Sequence, residues 1–235
     1  MSDKSPLIIA IDTTELDKAR DLLKKVHPFV SVFKVGLEFF LAHGAAGVET
    51  LRNEVPNLDL FLDLKLHDIP NTVKGAANAI ARLAPTFLTV HASGGGAMIQ
   101  SAAGVLPGTK ITAVTVLTSL EKSEFGRMGF SEEIAELTSS LARNAVENGA
   151  RALVCSPLEV SRLRNELGDD VVLITPGVRP NEQASRATKV DDQKRTMTPR
   201  EAIASGADFL VIGRPISASE NPAEAARKIL EELAC

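Results

Sequence analysis

The sequence predicts a single (β/α)8 barrel domain over residues 1–235, and three observations predict it. Eight short apolar runs recur along the chain, helical patterns lie between them, and polar residues follow nearly every run. Parallel strands covered on both faces read as near-continuous apolar segments. Eight strand–helix units in about 250 residues is the arithmetic of a closed barrel. The alternative is a doubly wound open sheet, which normally gathers its ligand-binding residues at one switch point. Here they are spread over strand ends, a pattern that makes one mouth only if the sheet closes.

The predicted strands cover 7–11, 30–35, 58–64, 87–90, 111–116, 152–155, 171–175 and 209–212. Between the first two, Thr14 opens a helical pattern with Asp17 as its capping-box partner, and Leu16, Ala19, Leu22, Leu23 and Val26 share one face. A second clear helix is expected over 131–148, with Ile134, Leu137, Leu141 and Ala145 inward and Gly149 just past its end. Pro157 and Pro199 stand where helices can start without an N–H donor, Gly94-Gly95-Gly96 reads as a flexible turn, and a last helix covers about 222–233.

Composition narrows the function. With 44% hydrophobic and 24% charged residues the chain is globular, and a net charge of −4 argues against an extended nucleic-acid surface. The absence of Trp and Tyr leaves few platforms for stacking single strands. No apolar run reaches the length of about 18 residues that spans a membrane. Residues 1–6 lack a signal core, so a cytoplasmic protein is expected. Cys155 and Cys235 make no disulfide framework. The four histidines have no zinc-ligand spacing, and the turn after the first strand carries no dinucleotide fingerprint; no metal and no cofactor is expected.

Two constellations carry chemistry. The first is Leu62-Asp63-Leu64-Lys65-Leu66-His67-Asp68-Ile69-Pro70-Asn71-Thr72 at the end of the third strand. Residues two apart in a strand share a face, so Asp63 and Lys65 are expected to point together into the mouth. Charges are costly inside an apolar strand unless they pair. Read alone, the segment also fits a salt bridge closing a strand end. Lys34, at the end of the neighbouring strand, adds a second ammonium, so that two lysines alternate with two aspartates. The second constellation is an anion site. Thr175-Pro176-Gly177-Val178-Arg179-Pro180 follows strand seven and Ile212-Gly213-Arg214-Pro215 follows strand eight, where barrels commonly hold a phosphate. The glycines let backbone N–H groups approach, and the arginines offer planar forks. The polar stretch 179–199 reads either as a lid over that phosphate or as a mobile insertion.

Together with Ala10-Ile11-Asp12, Phe33-Lys34-Val35-Gly36, Val90-His91-Ala92-Ser93-Gly94-Gly95, Thr118-Ser119 and Asp191-Asp192-Gln193, these segments resemble the orotidine 5'-phosphate decarboxylase family over nearly the whole chain. The resemblance implies a cofactor-independent enzyme that converts orotidine 5'-phosphate to UMP, working as a homodimer with shared active sites. It implies that Lys65 donates a proton to C6 of the pyrimidine and that Asp63 lies beside the substrate carboxylate. Lys34 would orient Asp63 and bind a ribose hydroxyl, and Asp12 would bind ribose. Thr118 and Ser119 would hold the pyrimidine edge. Arg179, Gln193, Gly213 and Arg214 would bind phosphate, while Asp68 and Thr72 would reach into the partner's site. Related barrels acting on keto-sugar phosphates share the Asp-x-Lys-x-x-Asp segment but use Mg²⁺ and an acidic ligand near the end of strand two, where this chain has Lys34.

Overall fold

The computed structural model describes residues 4–120, 122–130, 133–180 and 196–234. Eight parallel strands close in chain order: β1 (Leu7–Ile11), β2 (Val32–Gly36), β3 (Asp59–Leu66), β4 (Phe87–His91), β5 (Lys110–Val114), β6 (Ala152–Val154), β7 (Val172–Thr175) and β8 (Phe209–Ile212), with β8 pairing back onto β1. The expected barrel is therefore the observed one, with strand limits shifted by a residue or two.

The apolar runs look continuous because their two faces bury different things. In β1, Ile9 and Ile11 pack outward with Phe33, Leu62, Leu88 and the helices in one large core. Ile8, Val32, Phe61, Phe87, Ala152 and Ile174 form a second, smaller core inside the barrel. Phe87 lies 5.6 Å from Phe61 and 5.8 Å from Phe209, ring centre to centre, so phenyl rings fill the lower interior. One pleat higher, the inward positions become Ala10, Lys34 and Asp63. Alternation within each strand thus turns an apolar floor into a charged mouth.

The helices follow their own chemistry. The first, α1 (Leu16–Val26), starts after Glu15, and the expected Thr14–Asp17 capping box does not form; the Thr13 hydroxyl instead accepts the Glu15 N–H at 3.1 Å. Next, α2 (Leu37–Glu54) is interrupted at Gly44, whose φ of +57° and ψ of −157° suit glycine alone. His43 there is structural: its Nε2 meets the Thr14 carbonyl at 2.7 Å. Pro70 opens α3 (Pro70–Ile80). The triple glycine is more ordered than expected, since Ala92–Gly94 forms a 3₁₀ turn and Gly96 begins α4 (Gly96–Ala103). After α5 (Lys122–Arg127), the helix expected over 131–148 is described as α6 (Ile134–Glu147), and Gly149 follows at φ +102°. Pro157 opens a 3₁₀ turn capped by Ser156 rather than a full helix, and α7 (Val160–Leu167) comes after it. Pro199 does occupy the first turn of α8 (Pro199–Ala204), where Thr198 and Glu201 form a complete capping box. Two helices close the described chain, α9 (Arg214–Ser217) and α10 (Pro222–Ala234). No helix among the described residues is long and apolar enough to cross a membrane.

Candidate active site

A cavity of about 440 Å³ opens at the carboxyl ends of the strands. It is lined by Asp12, Lys34, Asp63, Lys65, Thr118, Ser119, Arg179, Gly213 and Arg214, with Phe61 and Val211 among its apolar residues. Nine residues named from the sequence, drawn from six segments of the chain, thus meet in one place. Asp68 and Thr72 do not join them: both are exposed, beyond the end of β3 and in the first turn of α3. The Asp68 carboxylate accepts the Ile69 N–H at 2.6 Å. Gln193 lies outside the described residues, as does most of the stretch 179–199 expected to act as a lid.

The charged cluster is a chain of alternating signs. Lys34 Nζ stands 3.4 Å from Asp12 Oδ1 and 3.3 Å from Asp63 Oδ2, and Lys65 Nζ stands 2.7 Å from Asp63 Oδ1. Lys34 and Asp63 are only 8% and 9% exposed, so each needs its partner to remain ionised. Burial pulls the Lys34 ammonium toward neutrality, but Asp63 and then Asp12 outweigh it, and its pKa ends above 10.5. Burial likewise pushes Asp63 up, but Lys34 and Lys65 outweigh it, and its pKa ends below 3.8. Both groups therefore hold their charge through the neutral range. Lys65 is less buried than either, with its ammonium at the cavity. Gly36 lies close by, and a Cβ there would press on the ammonium at 3.3 Å from Lys34 Nζ.

Asp63 and Lys65 meet by a route different from the expected strand alternation. The β3–β4 register shifts between Leu62 and Leu66, and Lys65 adopts φ +47°, a left-handed conformation rare outside glycine. No local pattern signals this, nor Thr89, the buried β4 residue whose hydroxyl meets both the Lys65 N–H and the Asp63 carboxylate. The rings of His67 and His91 lie 5.3 Å apart, centre to centre and tilted by 38°, and do not line the cavity. Burial, then the neighbouring His67 and Lys65, hold the His91 pKa below 6.5 against the opposing pull of Asp63.

Across the cavity, the side expected to take an anion is built from two strand ends. Gly177, at φ +77°, turns the chain after β7. The Arg179 N–H then donates to the Met197 carbonyl at 2.9 Å, and Val178 and Met197 form a parallel bridge that ties down both ends of the 179–199 stretch. Gly213 and Arg214 leave β8 directly into α9. Among the described residues, no group of three or more His, Cys, Asp or Glu side chains is arranged to hold a metal ion.

The chain is similar to known proteins in sequence and in fold. Residues 5–229 match the sequence profile of the Orotidine 5'-phosphate decarboxylase / HUMPS family. Among curated relatives, the orotidine 5'-phosphate decarboxylase of Thermobifida fusca (strain YX) is 49% identical over 97% of this chain and 96% of its own. That of Paramagnetospirillum magneticum is 45% identical over 97% of this chain and 98% of its own. The crystal structure of orotidine 5'-phosphate decarboxylase from Lactobacillus acidophilus superposes with a TM-score of 0.84 at 35% identity, covering 99% of this chain and 100% of that one.

Proposed function

Since the chain belongs to the Orotidine 5'-phosphate decarboxylase / HUMPS family, we propose that its barrel mouth decarboxylates orotidine 5'-phosphate to UMP and CO₂, the last step of UMP biosynthesis, with no cofactor. The decarboxylase half of the family description is favoured because the relatives above, at 45–49% identity, carry that name. Lys34 also puts an ammonium where a Mg²⁺-dependent barrel needs an acidic ligand. The observation that carries the reading is the Lys65 ammonium, held 2.7 Å from Asp63 at the edge of a cavity whose far side presents Arg179 and Arg214.

The chemistry sets the requirement. When the bond from C6 to the carboxylate breaks, the electron pair stays on C6 in the plane of the ring, where the π-system cannot accept it. A fixed cation aimed at that carbon stabilises the transition state more than the ground state, because negative charge moves toward it as CO₂ leaves. Lys65 is that cation, and it then transfers a proton from Nζ to C6 and is reprotonated from solvent. Asp63 holds Lys65 in place and is itself held by Lys34. Lys34 and Asp12 take the ribose hydroxyls, and Thr118 and Ser119 take the pyrimidine edge. The phosphate goes to Arg179, Gly213 and Arg214, remote from the reacting carbon, and its binding energy offsets the cost of crowding the charged end.

A homodimer with shared sites completes this reading, and the enzyme is placed in the cytoplasm with the rest of nucleotide synthesis. Asp68 and Thr72 lie outside their own cavity, and Leu37, Leu41, Ile69 and Leu117 are exposed large apolar side chains. Ile69, exposed next to Asp68, is an apolar side chain that a partner would cover at the place where Asp68 is offered. The test of the catalytic assignment is Lys65→Ala, followed by the fall in ultraviolet absorbance of orotidine 5'-phosphate and by UMP binding. Turnover should drop by about four orders of magnitude or more, while UMP still binds. Near-normal turnover would overturn the assignment.

A further inference from the structure

Lys65 is one of two non-glycine residues with positive φ among the described residues. Such a conformation persists only where the surroundings over-determine it. The strand ladder does not do so here. The pairs Leu62↔Leu88 and Leu66↔Val90 leave Asp63, Leu64 and Lys65 on β3 facing a single β4 residue, Thr89. Thr89 is completely buried. Its Oγ1 accepts the backbone N–H of Lys65 at 2.8 Å and donates to Asp63 Oδ1 at 3.1 Å. A hydroxyl has one proton to give and lone pairs to receive, and this one uses both capacities on the two residues that matter most in the cavity. Asp63 Oδ1 is the same oxygen that receives the Lys65 ammonium. Backbone, carboxylate and ammonium are therefore fixed in one frame with Thr89 at its corner.

We propose that Thr89 is a positioning residue for the decarboxylation: its hydroxyl holds the β3 bulge in the one shape that aims the Lys65 ammonium at the reacting carbon. The inference rests on Lys65 being the proton donor. Replacement by a side chain of the same shape without the hydroxyl leaves the Lys65 N–H and one Asp63 contact unsatisfied, but touches neither the ribose nor the phosphate contacts. The loss then appears in the chemical step and not in binding.

The experiment compares Thr89→Val with Thr89→Ser, measuring kcat per UMP-binding site, KM, UMP affinity and thermal unfolding, with Lys65→Ala alongside. Thr89→Val should lower kcat by about tenfold to a hundredfold while KM and UMP affinity stay within about threefold, and Thr89→Ser should restore kcat to within about threefold of the parent. If Thr89→Val does not fold, Thr89→Ala and Thr89→Ser are held to the same comparison. Equal kcat in the hydroxyl-bearing and hydroxyl-free variants would overturn the inference, as would a loss shared equally between kcat and UMP affinity. An inactive Lys65→Ala beside a fully active Thr89→Val removes the role of Thr89 alone, whereas an active Lys65→Ala removes the assignment of Lys65 itself.

Discussion

The two oxygens of Asp63 receive three donors: the Lys65 ammonium and the Thr89 hydroxyl on one, the Lys34 ammonium on the other. A buried carboxylate in that position is a hub, and removing one partner of a buried pair typically costs about 3–5 kcal/mol because the remaining charge is stranded. The depressed Asp63 pKa makes its contribution to stability present above the ordinary carboxylate range and lost in strong acid; the raised Lys34 pKa makes its contribution present below the ordinary lysine value and lost only in strong base. His91 behaves in the opposite sense to a salt-bridged histidine. Its folded-state pKa lies below 6.5, so the unfolded chain takes up a proton that the native state resists. Stability should therefore fall as pH drops through about 6.5 and level off once the folded-state value is passed. Thermal unfolding across that interval should show a shallower decline in His91→Gln than in the parent; identical slopes would show that His91 titrates alike in both states.

At the scale of elements, the cavity is lined by residues of β1, β2, β3, β5, β6 and β8 and by the segments that follow β1, β5, β7 and β8, the last two of which carry the arginines proposed for the phosphate. Arg214 leaves β8 immediately after Gly213, where a Cβ would lie 3.4 Å from Asp12 Oδ2, so the residues proposed for the phosphate and for the ribose are close neighbours. Arg214→Ala should reduce kcat/KM for the phosphorylated substrate by about a hundredfold or more, and should leave use of the bare nucleoside nearly unchanged, as steady-state kinetics with the two compounds will read. Equal losses for both would remove Arg214 from the phosphate site. The strands that carry these loops were legible because burial on both faces writes itself as an uninterrupted apolar run, and Lys34, Asp63 and Lys65 stood out because charge inside such a run demands a partner. The left-handed turn at Lys65 was not legible, since it depends on Thr89, 24 residues away, and on a register shift that no local pattern encodes. Capping was legible only in part: Thr14 and Asp17 have the right spacing without forming a box, while Thr198 and Glu201 form one on either side of Pro199.

At the scale of the whole molecule, one chain places nine of the expected site residues in its own cavity and leaves Asp68 and Thr72 outside it. Shared sites make a prediction that a self-sufficient monomer does not. Lys65→Ala and Asp68→Ala should each be nearly inactive alone. When the two are unfolded and refolded together, heterodimers should recover about a quarter of the parental activity, since half the dimers are mixed and each mixed dimer has one site free of both lesions. No recovery, with mixed dimers demonstrated by mass, would mean that Asp68 serves the site of its own chain.

The phenyl rings of Phe61, Phe87 and Phe209 have a consequence for traffic. They fill the bore of the cylinder beneath the ammonium groups, so the cavity stands on an aromatic floor and faces the carboxyl ends of the strands. A molecule formed beside those ammonium groups therefore departs toward the strand ends and not down through the barrel.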